Sequence, residues 1–253
     1  MKDSTQRFSS RVADYVAYRP AYPKILIDVL QRKCGLTAEW VVADIGSGPG
    51  NLSRLFLDNG NHVVGVEPNR GMREAGEQLL NDNPRFQSVI GTAEMTTLAD
   101  RSADLVVAGQ AFHWFDRKEA RREFGRILRP PRWVALVWNE RRMGGTPFLD
   151  AYEELLREYG TDYATVRQGK ATDSTVLEPF FGPAGYWVET VDNNQRFDFA
   201  GLRGRLLSSS YSPEAGHPRH NVMLRDLRTL FDAQQTEGTV TLQYDTRMYY
   251  GRL

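Results

Sequence analysis

Four short segments hold the residues whose types and spacing could do chemistry. Asp44-Ile45-Gly46-Ser47-Gly48-Pro49-Gly50 sets three glycines at alternate positions directly after an apolar run. Glycines at such a turn let the backbone bend tightly and approach a ligand with no Cβ in the way. The spacing is G-x-G-x-G, whereas a pyrophosphate-binding turn wants G-x-G-x-x-G. The acid two positions before the first glycine would repel pyrophosphate but suits a ligand with an ammonium or sulfonium group. Glu67 stands 21 residues past Gly46, where a carboxylate can accept both hydroxyls of a ribose. Ala93 and Glu94 are placed to read an adenine edge. The fourth segment is Gln110-Ala111-Phe112-His113-Trp114. His113 is a candidate base, because an unperturbed imidazole titrates near about pH 6.5; the plainer alternatives are a histidine that lines the site or one stacked beside Phe112. Trp114 and Phe115 could wall an aromatic pocket or simply pack on the next helix.

These segments need a scaffold that brings them together, and the hydrophobic pattern supplies one. Short apolar runs at 41–45, 62–69, 86–93, 103–115 and 133–139 read as buried parallel strands. Between them, three- and four-residue apolar spacing predicts helices, among them one near 70–81 and a charged one over 117–129. A strand-helix alternation of this kind means βαβ units with helices on both faces. Each of the four segments then lies at the carboxyl end of a strand, where open α/β sheets bind ligands. After Asn139 the rhythm changes. A helix is expected from Phe148 to Tyr159, alternating strands over 186–198 and 239–250, and an interrupted helical stretch over 200–235. The last two strands are read as an antiparallel edge pair. The expected architecture is α/β, Rossmann-like and doubly wound, with a mostly parallel seven-stranded sheet and a helical cap insertion. It is read as one domain over 1–253: a lid (1–23), a core (24–139), a cap with one strand (140–220), and a closing helix and strand (221–253).

Composition removes several classes. In 253 residues, 32 Lys+Arg balance 32 Asp+Glu, so the basic excess usual in nucleic-acid binders is missing. The run RKEARREFGRILRPPR is read as a solvated helix face rather than a phosphate site. Cys34 is the single cysteine, which excludes an intramolecular disulfide and a cysteine-based zinc cluster. His217 and His220 lack an acid-rich companion motif, so no metal is expected. No apolar stretch approaches a membrane span, and the polar start MKDSTQRFSSRVADY is not a secretory signal. A cytoplasmic protein, monomeric or homodimeric, is the expectation.

Taken together, VVADIGSGPG, VVGVEPN, GTAEM and ADLVVAGQAFHWF resemble successive motifs of class I S-adenosylmethionine-dependent methyltransferases. FSSRVADYVAYRPAYP with AFHWFD resembles, more narrowly, the small-molecule group that includes trans-aconitate methyltransferases. The resemblance covers residues 7–139 and is weak beyond. It implies S-adenosylmethionine as cofactor and S-adenosylhomocysteine as product. By position it puts Gly46, Ser47, Gly48 and Gln110 against the methionine part, Glu67 on the ribose, and Pro68, Met72, Ala93 and Glu94 around the adenine. It matches Tyr18 and Arg19 to an N-terminal segment that folds over the cofactor, with Arg19 suited to the cofactor's carboxylate. The implied reaction is methyl transfer to a small molecule through a carboxylate, hydroxyl, thiol or carbon. Trp114, Asn139, Arg142 and Tyr211 are the candidate substrate contacts. Arg141, Arg142 and Arg205 could clamp a carboxylate or be surface arginines. The rivals are a non-catalytic S-adenosylmethionine-binding scaffold or sensor, a nicotinamide dehydrogenase and a nucleic-acid methyltransferase.

Overall fold

The computed structural model describes residues 12–164 and 174–253. Its strands are β1 (Val41–Ile45), β2 (His62–Val66), β3 (Phe86–Val89), β4 (Ala103–Gly109), β5 (Leu128–Arg141), β6 (Tyr186–Phe197) and β7 (Val240–Arg252). Its helices are α1 (Val12–Tyr18), α2 (Ile25–Cys34), α3 (Asn51–Asp58), α4 (Arg70–Leu80), α5 (Arg117–Ile127), α6 (Pro147–Tyr159), α7 (Ser174–Phe181), α8 (Phe199–Leu207) and α9 (His220–Gln234). The strands form one seven-stranded sheet in the order β3-β2-β1-β4-β5-β7-β6. The first five are parallel, and β7 runs antiparallel to both of its neighbours. This is the expected Rossmann-like sheet with its antiparallel edge pair.

Period-two alternation along buried strands sorts their side chains onto two faces. Val42, Leu105, Val107, Ala135 and Val137 pack with α2 and α3. Ala43, Val106, Ala108, Val134 and Leu136 pack on the other face with Phe124 of α5 and Phe181 of α7. Both faces are covered, which is why these strands read as unbroken apolar runs. A third cluster joins α6, α8 and α9 to Val240, Leu242 and Tyr244 in the first half of β7. This cluster is the cap.

Several boundaries depart from the sequence reading. The third strand stops at Val89 rather than Ala93, because Thr92 and Met95 close a turn by exchanging backbone hydrogen bonds. The fourth stops at Gly109: Gln110 takes a positive φ of 57° and the chain enters a 3-10 turn, Phe112–Trp114. Leu128 leaves the helix and pairs with Ala103, and the β4–β5 ladder resumes at Leu105 with Trp133. Residues 174–181, grouped with the cap from the sequence, carry Leu177, Phe180 and Phe181 into the core beneath the sheet instead. Conversely α9, read as a closing helix, belongs to the cap through Met223, Leu227 and Phe231.

Candidate functional site

The sheet order reverses direction at β1, with β2 on one side and β4 on the other. A crevice opens at such a switch point, beyond the carboxyl ends of the strands. The glycine loop lies across it. Gly46 and Ser47 donate their backbone N–H groups to the carbonyl of Val66, at 2.8 and 3.2 Å. Gly46 (φ +69°) has no room for a side chain, since a Cβ there would lie 2.7 Å from that of Ala111. Gly48 (φ +56°) meets nothing within 4 Å; a side chain there would project into open space in the cleft. Glu67 secures the loop from beside it. One carboxylate oxygen accepts from Gly48 N at 2.9 Å, the other from Asn69 N at 2.8 Å. Burial pushes this carboxyl above its ordinary range, and the two backbone N–H donors pull it back. Asn69 in turn caps α4 by accepting from Met72 N. A cavity of about 170 Å³ runs from Gly48 past Glu67, Pro68 and Met72 to Ala93 and Glu94. Glu94 is held by Asp116 N at 2.8 Å.

At the other end of the loop a smaller cavity is lined by Asp44, Ser47, Gln110, Asn139 and Arg19. Asp44 is fully buried. Ser53 donates to its Oδ2 at 2.7 Å, while Oδ1 has no hydrogen-bond partner among the described residues. Burial pushes the Asp44 carboxyl up to about 7, the negative charge of Glu67 adding to the effect and the Ser53 bond opposing it. Arg19 gives Nη2 to the carbonyl of Ser208 at 2.8 Å, and its buried Nε has no hydrogen-bond partner among the described residues. The residue with the orphaned acceptor and the residue with the orphaned cationic donor therefore line the same small space.

A third cavity of about 160 Å³ adjoins these two, sharing Tyr15, Arg19, Gln110, Asn139 and Arg205 with the smaller one. His113 and Trp114 line one side, with ring centroids 4.6 Å apart. Gln110 donates from Nε2 to the carbonyl of Asn139 at 2.9 Å. Its left-handed backbone is unusual for a side chain other than glycine. Asn139 donates to the carbonyls of Pro20 and Ala21 and accepts from Thr246 and Asn193, so it ties β5 to the N-terminal segment. Arg141 pairs with Glu153 and with Tyr163 Oη at 3.0 Å. Arg205 reaches Tyr244 Oη at 3.0 Å and Ser209 Oγ at 3.1 Å. Burial would raise the Tyr211 phenol, but Arg205, a Ser209 hydrogen bond, Arg19 and Arg141 together hold it below the ordinary tyrosine value.

Comparison with known proteins shows what the chain is similar to. Residues 43–136 match the family model described as a methyltransferase domain. Over that stretch the chain is similar to a methyltransferase domain. An uncharacterized methyltransferase of Mycobacterium tuberculosis is 37% identical over 140 residues, which are 55% of each chain. One from Schizosaccharomyces pombe is 30% identical over 152 residues, 60% of this chain and 59% of that one. The chain thus spans little more than half the length of the curated relatives it matches. A solved structure of a candidate type II methyltransferase from Anaeromyxobacter dehalogenans superposes with a TM-score of 0.72 at 22% identity. It covers 93% of this chain and 98% of that one, so the fold extends well beyond the matched stretch.

Within the matched stretch and its flanks, most of the sequence-marked residues converge. Gly46, Gly48, Glu67, Pro68, Met72, Ala93, Glu94 and Gln110 line the large cavity, and Ser47 and Arg19 the small one. His113, Trp114, Asn139 and Tyr211 line the third. Two do not line any of the three. Tyr18 turns its ring onto α8, where Gly204 makes room: a Cβ on Gly204 would lie 2.0 Å from it. Arg142 points away, its guanidinium engaged by Asp245 and Asp192. Tyr15, which borders all three cavities, was missed. Tyr15 and Tyr18 lie three apart on one helix, and only the docking of that helix tells which ring faces the crevice.

Proposed function

We propose that the chain transfers a methyl group from S-adenosylmethionine to a small-molecule acceptor. The observation that carries this reading is the pair of orphaned buried atoms, Asp44 Oδ1 and Arg19 Nε, at one end of a crevice whose other end holds Glu67. An α-amino acid group offers an ammonium to the first and a carboxylate to the second, and a ribose offers hydroxyls to the third. A carboxylate oxygen has about two acceptor sites, so Glu67 can bind a hydroxyl while still holding Gly48 and Asn69. Pro68, Met72 and Ala93 give an apolar bed for the adenine, and Glu94 sits at its edge. Ser47, Gly48 and Gln110 hold the methionine part.

When bound, the cofactor supplies a sulfonium methyl whose C–S bond breaks, its electron pair staying on sulfur, as the acceptor's lone pair forms the new bond to carbon. The protein's task is therefore alignment and exclusion of water, and positioning of this kind is worth roughly 7–11 kcal/mol. Gln110, fixed to Asn139, and Trp114 form the wall between the cofactor crevice and the third cavity. His113, which lines the third cavity, would take a proton from a hydroxyl, thiol or amine acceptor. A carboxylate acceptor carries no proton at neutral pH and needs no base.

Calorimetric titration with S-adenosylhomocysteine, with NAD as control, tests the reading. Micromolar affinity is expected for the nucleoside thioether and none for NAD. Gly48→Val fills the open space above the loop and forces a branched side chain to positive φ, so binding should fall by on the order of 10²-fold or more. A folded chain that ignores S-adenosylhomocysteine would overturn the proposal.

A further inference from the structure

Resting on the methyl-transfer reading, we propose that Tyr211 is a second base beside His113: a phenolate that takes the proton of a hydroxyl acceptor in the third cavity. The charges around that cavity set the case. Three guanidinium groups line it, Arg19, Arg141 and Arg205, and among the described residues no carboxylate does. Arg141 is neutralised by the buried Glu153. Arg19 and Arg205 line both this cavity and the cofactor end of the crevice, and the cofactor's carboxylate can answer one of them. The other needs an anion from the chain itself, because an uncompensated buried charge is costly. Arg205 is 6% exposed. Burial works against its charge, and the phenols of Tyr244, Tyr211 and Tyr152 favour it.

Of the phenols gathered here, Tyr211 is the one set to give up its proton. Tyr152 of α6 lies in the cap cluster, where burial holds its phenol well above the ordinary value. Tyr163 packs edge-on against Tyr211, with centroids 4.9 Å apart. It donates to Glu153 at 2.6 Å, and burial with that bond pushes it up to about 12. Tyr244 of β7 donates to Gln195 at 2.9 Å. The Tyr211 oxygen receives instead. Ser209 accepts from Arg205 Nη1 at 3.1 Å, and its own proton is left for Tyr211, to which it is hydrogen-bonded. A hydrogen bond given to the charged form favours that form. Burial opposes the phenolate, while Arg205 of α8, Arg19 of the N-terminal segment and Arg141 of β5 favour it. Thr161 fixes the residue's backbone by donating N and Oγ1 to its carbonyl, at 2.9 and 3.2 Å. A hydroxyl is a weak acid, and a phenolate is a stronger base for it than an imidazole. In the transfer, Tyr211 takes the O–H proton as the acceptor's oxygen bonds to the methyl carbon. The O–H electron pair remains on that oxygen, and the C–S pair stays on sulfur. A phenolate and a sulfonium are thereby converted to a phenol and a thioether, and Tyr211 returns its proton to water before the next turn.

The experiment is a pH titration of the full chain followed by the ultraviolet difference absorption of tyrosinate. It is run on the chain alone, and on the chain saturated with S-adenosylhomocysteine or S-adenosylmethionine. In the wild type alone, one phenol should ionise below about pH 10, the ordinary tyrosine value, and that step should vanish in Tyr211→Phe. Ser209→Ala should raise its midpoint by about one pH unit, the worth of one hydrogen bond, and it decides the point if the Phe variant does not fold. The two ligands differ by the positive charge of the sulfonium. If Tyr211 faces the reacting carbon, its midpoint should be lower with S-adenosylmethionine than with S-adenosylhomocysteine by about one pH unit. No phenol ionising below the ordinary value, or a low step that persists in Tyr211→Phe, overturns the proposal. So do equal midpoints with the two ligands, which would leave Tyr211 a counter-ion to the arginines with no part in the transfer. Failure of the wild type to bind S-adenosylhomocysteine would instead strike the methyl-transfer reading.

Discussion

Asp44 and Glu67 are two buried carboxyls in one crevice, and their surroundings divide the work between them. Both oxygens of Glu67 are engaged by backbone N–H groups, whereas Asp44 is engaged by Ser53, and its Oδ1 has no hydrogen-bond partner among the described residues. Burial accordingly lifts Asp44 to about 7, from an ordinary 3.8. In the ligand-free protein the folded state holds the Asp44 proton across that window and the unfolded chain does not. Stability contributed by this residue is therefore present below about pH 4 and is lost as pH rises toward 7, by up to about 4 kcal/mol for three pH units. A bound ammonium reverses the preference, because it favours the ionised form. Affinity for S-adenosylhomocysteine should consequently weaken as pH falls from about 8 to 6, by at most about tenfold per unit. Calorimetry across that range should show the dependence in the wild type and a flat profile in Asp44→Asn. An equally flat wild-type profile would remove Asp44 from the ammonium site.

At the scale of elements, the crevice depends on a short helix that is not part of the sheet. α1 sets Tyr15 toward all three cavities because Tyr18, one turn on, is seated over Gly204 of α8. The chain after α1 is then held by Asn139, Asn193 and Gln195 through the carbonyls of Pro20, Ala21 and Tyr18. Gly204→Ala separates these roles. Alanine improves the helix by roughly 1 kcal/mol relative to glycine, but its methyl occupies the place of the Tyr18 ring. The expected outcome is an unchanged or higher unfolding temperature, faster proteolysis within residues 12–23, and weaker S-adenosylhomocysteine binding as Tyr15 and Arg19 leave the crevice. Limited proteolysis that matches the wild type would show that α1 does not depend on this seat. The same contact marks where the sequence stops being informative. The glycine loop, Glu67 and the Gln110–Trp114 turn were legible because each ends an apolar run, and strand ends fix where residues go. Tyr15 against Tyr18, and Arg205 against Arg142, were not. Those choices are made by packing between elements far apart in the chain, and no local spacing records them.

For the whole molecule, the decisive element is β7. Its first half closes the cap through Val240, Leu242 and Tyr244, and its second half enters the sheet core through Met248, Tyr249 and Tyr250. A strand shared in this way makes the cap depend on the core, since opening either exposes apolar residues of the other. The α7 segment strengthens the link from the opposite side, lying on the core although it falls between cap elements in sequence. Unfolding should therefore be one cooperative transition. Tryptophan fluorescence reports the core, where Trp133 and Trp138 are buried, while the cap cluster contains tyrosines but no tryptophan. Far-UV ellipticity adds the cap helices. The two signals should melt together. S-adenosylhomocysteine at about 100 times its dissociation constant adds about 2.7 kcal/mol, which for a chain of this size raises the midpoint by roughly 5–11 °C. Both signals should move by that amount, because Arg19 and Arg205 make the crevice a joint product of core and cap. Two separate transitions, with the ligand shifting only the fluorescence, would mean that the cap folds on its own and closes over the crevice without helping to build it.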